Sequence, residues 1–538
     1  MSSVTGAGLT GTAALLRLDL RRDRILAPAA VLSLVLVAAS SAQATVALYP
    51  DPAGAVELAR TVAASPALTG MYGPIADPGN PDAAAVFKTM VTGGVLVALL
   101  AQSLVRRHTR SEEETGRSEL LGATVLGRRA PLTAAVLVAT LAVLVTGLLT
   151  AGSLVAVGLG PSGSAAFGLA WIGIGLSFVG IAAVAAQLTE TSRGSAGIVM
   201  GALGASYLLR VVGDTSTGAL SALTWLSPIG WAEKLEVFGG DRFVVALLPL
   251  AFATLMVALA HALQARRDLG AGLITGREGP GRARPSLDSP AALARRLQRG
   301  ALLGSASAFL LLGLVLGSVA ATVGAMAMTA GVEQMLRDMG GDAASLGDVF
   351  LSTEVRFLAV AAAAYGISAA LRLRSEESAT HVEQILATGS GRRSVLLAHA
   401  GVALAGSGGL MLVLALGLAV GTAGQSGGLG PALGHILPAA LSTVPAVWVC
   451  VGLTLALCGA APRAAVGAAW ALLGAFLVVS ELGPLLRLPG IVVDLSPFSH
   501  GSIVPGGTAQ VAPLLALLLI TGALVAAATS AFRRRDIG

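Results

Sequence analysis

The sequence predicts an all-α integral membrane protein of about twelve transmembrane helices, arranged as two tandem six-helix halves. Three observations carry that expectation. Of 538 residues 55% are hydrophobic and only 12% are charged, and the mean hydropathy is +0.81, far too apolar for a soluble chain. Apolar runs recur at about the 20 residues that a helix needs to cross the hydrocarbon. The third observation is an internal repeat. Residues 110–129 read RSEEETGRSELLGATVLGRR, and residues 374–393 read RSEESATHVEQILATGSGRR, in register at an offset of 264.

Taken in order, residues 9–24 set Leu15, Leu16, Leu18 and Leu20 against Arg and Asp, the pattern of an interfacial amphipathic helix. Six spans follow at about 26–48, 85–105, 132–157, 167–189, 195–213 and 244–264. Six more lie at about 301–328, 355–373, 394–421, 432–458, 464–486 and 511–532. The first run, with Arg21-Arg22 before it and Ala42-Gln43-Ala44 at its end, imitates a cleavable secretory signal. An internal counterpart, the basic stretch 293–299 ahead of run 301–328, argues that it is a retained span.

Each repeated segment lies between two spans and reads as a short polar helix at a membrane face, about 111–126 and about 375–390. Ser111 can cap the first, with Glu114 completing a capping box and Glu112 and Glu113 at the positive helix start. Gly127 suits the stop, ahead of Arg128 and Arg129. The second copy keeps the Ser375 cap, Glu376, Glu377 and the Gly391 stop, with Ser378 in place of the box acid.

The Arg clusters set the orientation. Arg17 to Arg24, Arg106 to Arg129, Arg193, segment 266–299, Arg372 to Arg393, Arg463 and Arg533 to Arg535 fall on one side if twelve spans alternate. That side is expected to be the cytoplasm of a bacterial plasma membrane, with both termini in it. Segments 49–84, 214–243, 329–354 and 487–510 are then external. Further repeats pair Arg193 with Arg463, Leu226-Ser-Pro228 with Leu495-Ser-Pro497, and Arg266-Arg-Asp-Leu-Gly270 with Arg534-Arg-Asp-Ile-Gly538. The division is thus a first half, 1–265, a basic cytoplasmic linker, 266–299, suited to anionic lipid, and a second half, 300–538. Six spans per half keep both halves in the same orientation, which predicts a pseudo-two-fold axis along the membrane normal.

The chemistry in the chain is sparse. A phosphate-binding P-loop needs a Lys after Gly, and the two lysines, Lys88 and Lys234, follow Phe and Glu. ATP and Mg therefore have no expected site here, and no cofactor is expected. The six histidines show no metal spacing. Cys450 and Cys458 stand about 12 Å apart along one helix, too far to bridge. Aromatic residues do not interleave with basic ones, which argues against nucleic acid. Gly406-Ser-Gly-Gly409 sits in an apolar run, where close helix packing explains it. Inside or near the spans, Arg210 lies near Asp214 and Glu481 near Arg487. Tyr207, Arg210, Trp470, Phe476 and Glu481 are the candidate substrate-path residues, within a wider aromatic set of Trp171, Phe309, Tyr365 and Trp448.

The layout of an amphipathic helix, a polar helix between spans two and three, and a short fifth span with outer turns resembles the ABC-2-type permeases. The 110–122 pattern is similar to that of the fused actinobacterial permeases described as polyketide-antibiotic and multidrug exporters. The resemblance covers essentially the whole chain, although the second copy lacks the third Glu and has His381 in place of Arg117. It implies a transport subunit without its own ATPase, exporting hydrophobic or amphipathic compounds. A separate homodimeric ATPase would bind ATP and Mg and dock on the two loop helices. The coupling residues would be Arg110, Glu112, Glu113, Glu114, Arg117 and Glu119, with Arg374, Glu376, Glu377, His381 and Glu383 in the second copy. The competing expectation is a proton-driven twelve-span secondary transporter, which wants an acid deep in a span; Glu481 is the one acid inside an expected span, and it lies near an end.

Overall fold

The computed structural model describes residues 8–49, 51–63, 66–216, 218–268, 270–274, 281–282, 285–327, 346–482, 489–500 and 511–535. Among them every regular element is helical, as expected. The chain forms two compact units, Met1–Gly279 and Pro280–Gly538, whose boundary falls within the basic linker.

In the first unit α1 (Thr12–Arg22) precedes α2 (Leu26–Leu48), α3 (Pro52–Ala63) and α4 (Pro66–Tyr72). Next come α5 (Pro81–His108), α6 (Arg110–Glu114), α7 (Arg117–Gly122), α8 (Ala130–Val157), α9 (Pro161–Leu188) and α10 (Ser192–Thr215). A 3-10 turn (Gly218–Leu226), α11 (Pro228–Glu233), a second 3-10 turn (Phe243–Ala246) and α12 (Leu247–Gln264) complete it. The helix starts follow local chemistry. Proline stands at the first turns of α5, α9 and α11, where its missing N–H costs nothing. The Asn80 side chain accepts from the Asp82 amide at 3.0 Å, Thr191 accepts from Gly194 at 3.0 Å, and Ser227 accepts from Ile229 and Gly230.

The second unit contains α13 (Pro290–Ala327), α14 (Leu346–Ser378), α15 (His381–Ala387), α16 (Arg392–Thr422) and α17 (Leu429–Ala460). It ends with α18 (Ala465–Leu482), α19 (Gly490–Val493), a 3-10 turn (Pro497–Ser499) and α20 (Val511–Arg534).

Eleven described helices are long and apolar enough to cross a membrane. The span expected at 464–486 corresponds to α18, which is apolar over Ala465–Leu477; residues 483–488 lie outside the described ones. The segments expected as loops opposite the Arg-rich face are partly helical, carrying α3, α4 and α11. In the first unit the expected amphipathic helix is a helix separate from the span after it. There α1 stops at Asp23, whose buried carboxylate is drawn to Arg107 and His108, whereas α13 runs unbroken from Pro290 through its arginines.

Each unit is centred on two largely buried spans, α5 and α9 in the first, α16 and α17 in the second. The spans α2, α10, α12 and α20 leave most of their surface uncovered. Small residues set the closest approaches, as expected where lipid removes the hydrophobic drive between helices. A Cβ on Gly147 would lie 2.6 Å from the Gly168 carbonyl, and one on Gly168 would lie 2.5 Å from the Gly147 carbonyl. In the second unit Gly313 and Gly317 of α13 meet Gly417 and Gly421 of α16, two Gly-x-x-x-Gly faces pressed backbone to backbone. Trp171 fills the hollow over Gly93 and donates its indole N–H to the Met90 carbonyl at 3.1 Å. Gly406 and Gly408 do serve packing, against Tyr365 and Trp448.

Candidate functional site

The repeated segments differ from the single capped helices that the sequence predicts. In the first copy α5 runs on through Arg106, Arg107 and His108, and the chain bends at Thr109 (φ −120°, ψ −90°). Ser111 therefore lies inside α6 and is not its cap; Thr109 occupies that place without a side-chain cap bond. The predicted helix 111–126 is two short ones, α6 and α7, separated at Thr115-Gly116, where Gly116 has φ +70°. In the second copy Ser375, Glu376 and Glu377 are the last turn of the long α14, not the first turn of a new helix. The chain turns at Thr380 (φ +60°), and α15 begins at His381. Gly391 precedes α16 as its N-cap, and the left-handed glycine behind α15 is Gly389 (φ +83°).

One ionic arrangement is common to both copies. Arg110, fully buried, donates to the Glu113 carboxylate at 2.8 Å, to the Ala186 carbonyl at the end of α9, and to the Ala271 carbonyl at 3.0 Å. Glu113 in turn receives both terminal nitrogens of Arg267, at 2.7 and 3.0 Å. In the second unit Arg374 pairs with Glu377 at 3.2 Å, and Glu377 pairs with Arg535. Arg374 also donates to the Pro462 carbonyl at 3.2 Å, and Arg535 to the Cys458 carbonyl at 2.7 Å. Each loop acid is thus clamped between its own Arg and an Arg beyond the sixth span of the same unit. A second clamp repeats as well. Arg128 donates to the Arg267 carbonyl at 2.8 Å, and Arg392 to the Arg535 carbonyl at 2.7 Å.

Other contacts are particular to one copy. Glu112 accepts from Arg22 of α1 at 2.7 Å, with Arg117 at 3.5 Å, and the hydrogen bond to Glu112 raises the Arg22 pKa above its ordinary value. The Glu114 carboxylate accepts from the Ser192 amide at 2.8 Å, at the positive end of α10. His108 lies between Asp19 and Asp23 of the α1 segment, at 3.1 and 2.5 Å. In the second copy Glu376 is held by Arg372 at 2.5 Å and by His381 at 2.8 Å. The first loop is therefore tied to the amphipathic helix and to the ends of spans four, five and six.

What remains exposed is a smaller set than the sequence predicts. Glu114, which also accepts from Ser192, Arg117 and Glu119 of the first loop are exposed, and so are His381 and Glu383 of the second. Leu120 (76% exposed) and Val125 (89% exposed) add an apolar tip to the first loop, which the charge pattern did not single out. Gln384 and Gly389 stand at the matching positions, so the second loop has a polar tip.

Of the candidate path residues, Arg210 is fully buried and bonded to Glu233 at 2.8 Å, with Asp214 at 3.9 Å. Tyr207 donates to the Met71 carbonyl at 3.1 Å, and its ring stacks under Arg210. Trp470 is exposed; Phe476 is half-buried, and its carbonyl accepts from Ser496 at 3.0 Å. The side chain of Glu481 lies outside the described residues. Among the described residues no cluster of His, Cys, Asp or Glu has the makings of a metal site.

Residues 287–533 match the family described as the C-terminal domain of multidrug efflux system permease Rv1217c. The whole chain is similar to the multidrug efflux system permease protein Rv1217c of Mycobacterium tuberculosis, with 39% identity over 541 residues, covering 99% of this chain and 96% of that protein. With its many apolar helices, the chain is a multi-pass membrane permease, and it belongs to the family of multidrug efflux system permeases.

Proposed function

We propose that the chain is the membrane subunit of an ATP-driven exporter of the ABC-2 type, carrying hydrophobic or amphipathic compounds such as antibiotics out of a bacterial cell. A separate homodimeric ATPase binds ATP and Mg and seats one subunit on each repeated loop. The Arg-rich face and both termini are cytoplasmic, and the basic linker lies on membrane lipid. The observation that carries this reading is the repeated clamp of Arg110, Glu113 and Arg267, and of Arg374, Glu377 and Arg535. A loop used only as a charged anchor needs no such bracing. A loop that must pass a push from a soluble partner to several spans does.

Because the clamp acids face inward, docking falls to the exposed residues: Arg117, Glu119, Leu120 and Val125 on one loop, His381 and Glu383 on the other. Co-purification with the ATPase encoded beside the permease tests this. The wild-type pair leaves detergent together, with about two ATPases per permease. Glu119→Lys with Leu120→Asp releases ATPase while the permease stays folded. Retention of a full complement by that variant contradicts the assignment of the docking face.

A further inference from the structure

Away from the loops, the first unit holds a charge cluster that transport through the loops does not use. Arg210 of α10 is joined to Glu233 of α11 at 2.8 Å, with Asp214 one helical turn along at 3.9 Å. It also donates to the Gly70 carbonyl at the end of α4 and covers the Tyr207 ring at 4.7 Å. The side chains of Arg210, Asp214 and Glu233 are 0%, 1% and 1% exposed. Two buried carboxyl groups therefore share one buried guanidinium. The remaining neighbours do not add a cation: Asp214 accepts from the Thr224 hydroxyl at 2.8 Å, and Tyr207 is neutral.

The hydrogen bonds show the same imbalance. Glu233 Oε2 and Asp214 Oδ2 are buried without a donor, and the one unpaired donor beside them is Arg210 Nε, 3.9 Å from Asp214 Oδ2, so two acceptors face one donor. Two ionised carboxylates are both acceptors and can only repel, whereas one proton turns one of them into a donor to the other. A small cavity of about 30 Å³ borders Glu233 and is otherwise lined mainly by apolar residues such as Ile75, Val86, Phe87 and Met90. That lining offers Glu233 no compensating charge.

We propose that Arg210, Asp214 and Glu233 form a one-proton lock, in which a single proton shared by the two carboxyls holds α4 and α11 against α10. The lock is confined to one unit. Ser227 donates to the Ser206 carbonyl at 2.7 Å, and Ser496 to the Phe476 carbonyl at 3.0 Å, which aligns α10 with α18 at an offset of 270. On that alignment Ser480 stands where Arg210 does, so the second unit has no guanidinium at the equivalent position.

Burial, with Asp214 beside it, pushes the Glu233 carboxyl well above the usual carboxylate range. A group whose pKa is raised in the packed state stabilises that packing fully at pH values below its ordinary pKa. The stabilisation is lost as pH rises through the raised pKa. The lock is therefore closed in acid and loosens toward alkaline pH, and neutralising one carboxyl keeps it closed.

The test uses the full-length permease in lipid nanodiscs, without an ATPase, so it stands apart from the function proposed above. The infrared spectrum at neutral pH shows a protonated-carboxyl band that is removed or displaced in Glu233→Gln and Asp214→Asn. The thermal midpoint of the wild type falls as pH rises, and each single substitution flattens that slope and raises the midpoint at mildly alkaline pH. The double substitution strands Arg210 and lowers the midpoint at every pH. Absence of the carboxyl band, together with a lower midpoint in both single variants at neutral pH, overturns the proposal.

Discussion

At the residue scale the clamp acids and the exposed loop residues perform different work, although both are charged and lie in the same short repeat. Glu113 is bound on both sides by Arg110 and Arg267. Removing one member of a buried charge network leaves the others uncompensated, at a cost of roughly 3–5 kcal/mol. Glu113→Gln is expected to lower stability by an amount of that order in chemical denaturation of the purified permease. Leu120→Ala, at an exposed tip, is expected to leave stability within about 0.5 kcal/mol. Equal losses from both substitutions would show that the clamp is not structural. The positions in the clamp were legible, since Glu113 and Glu377, and Arg267 and Arg535, recur in the sequence. Their pairing was not. A repeat shows which residues are equivalent, and Glu113 and Arg267 are separated by several membrane spans. Glu233 was missed altogether because it has no counterpart in the second half and lies in a segment that read as a loop.

At the element scale, the loop ends moved because polar residues can continue a span when the fold supplies their partners. Arg107 and His108 looked like the end of a helix, but Asp19 and Asp23 satisfy them, and α5 keeps its ladder to His108. In the second copy Glu376 and Glu377 occupy the last turn of α14, where the helix dipole disfavours acids. Arg372, Arg374 and Arg535 offset that cost. Span cores were readable from hydropathy alone, since every apolar run demanded a helix. Helix partners were not, because glycine reports close approach without saying to what. The α13–α16 contact illustrates this: Gly317 and Gly421 face backbone of the other helix. A side chain at position 421 would put its Cβ 2.5 Å from the Leu314 carbonyl oxygen. Gly421→Val is therefore expected to lower stability by the roughly 1–3 kcal/mol that overpacking costs. Gly401→Ala, also on α16 but facing open space, is the control and should not lower the thermal midpoint, since Ala is the better helix former.

At the scale of the whole molecule, the duplication preserves the clamp and lets the surfaces around it diverge. The first loop ends in an apolar tip and is tied to the amphipathic α1; the second ends in polar residues and is braced by its own helix. A symmetric ATPase dimer would then meet two unlike seats. Exposed aliphatic side chains that become buried in an interface contribute more than rim charges do. Substitution of Glu119 and Leu120 together is therefore expected to weaken ATPase binding about tenfold more than Glu383→Lys, a difference of about 1.4 kcal/mol readable by titration in nanodiscs. Similar losses at both loops would mean that the apolar tip takes no part in docking.

The most direct test of the central claim is transport in sealed vesicles reconstituted with the permease and its adjacent ATPase, loaded with an amphipathic dye. ATP is expected to drive dye movement, an imposed proton gradient alone is not, and Glu119→Lys with Leu120→Asp is expected to abolish the ATP-driven rate. Dye movement driven by the proton gradient without bound ATPase would contradict that claim, and would make the clamped loops fixed supports of a secondary transporter.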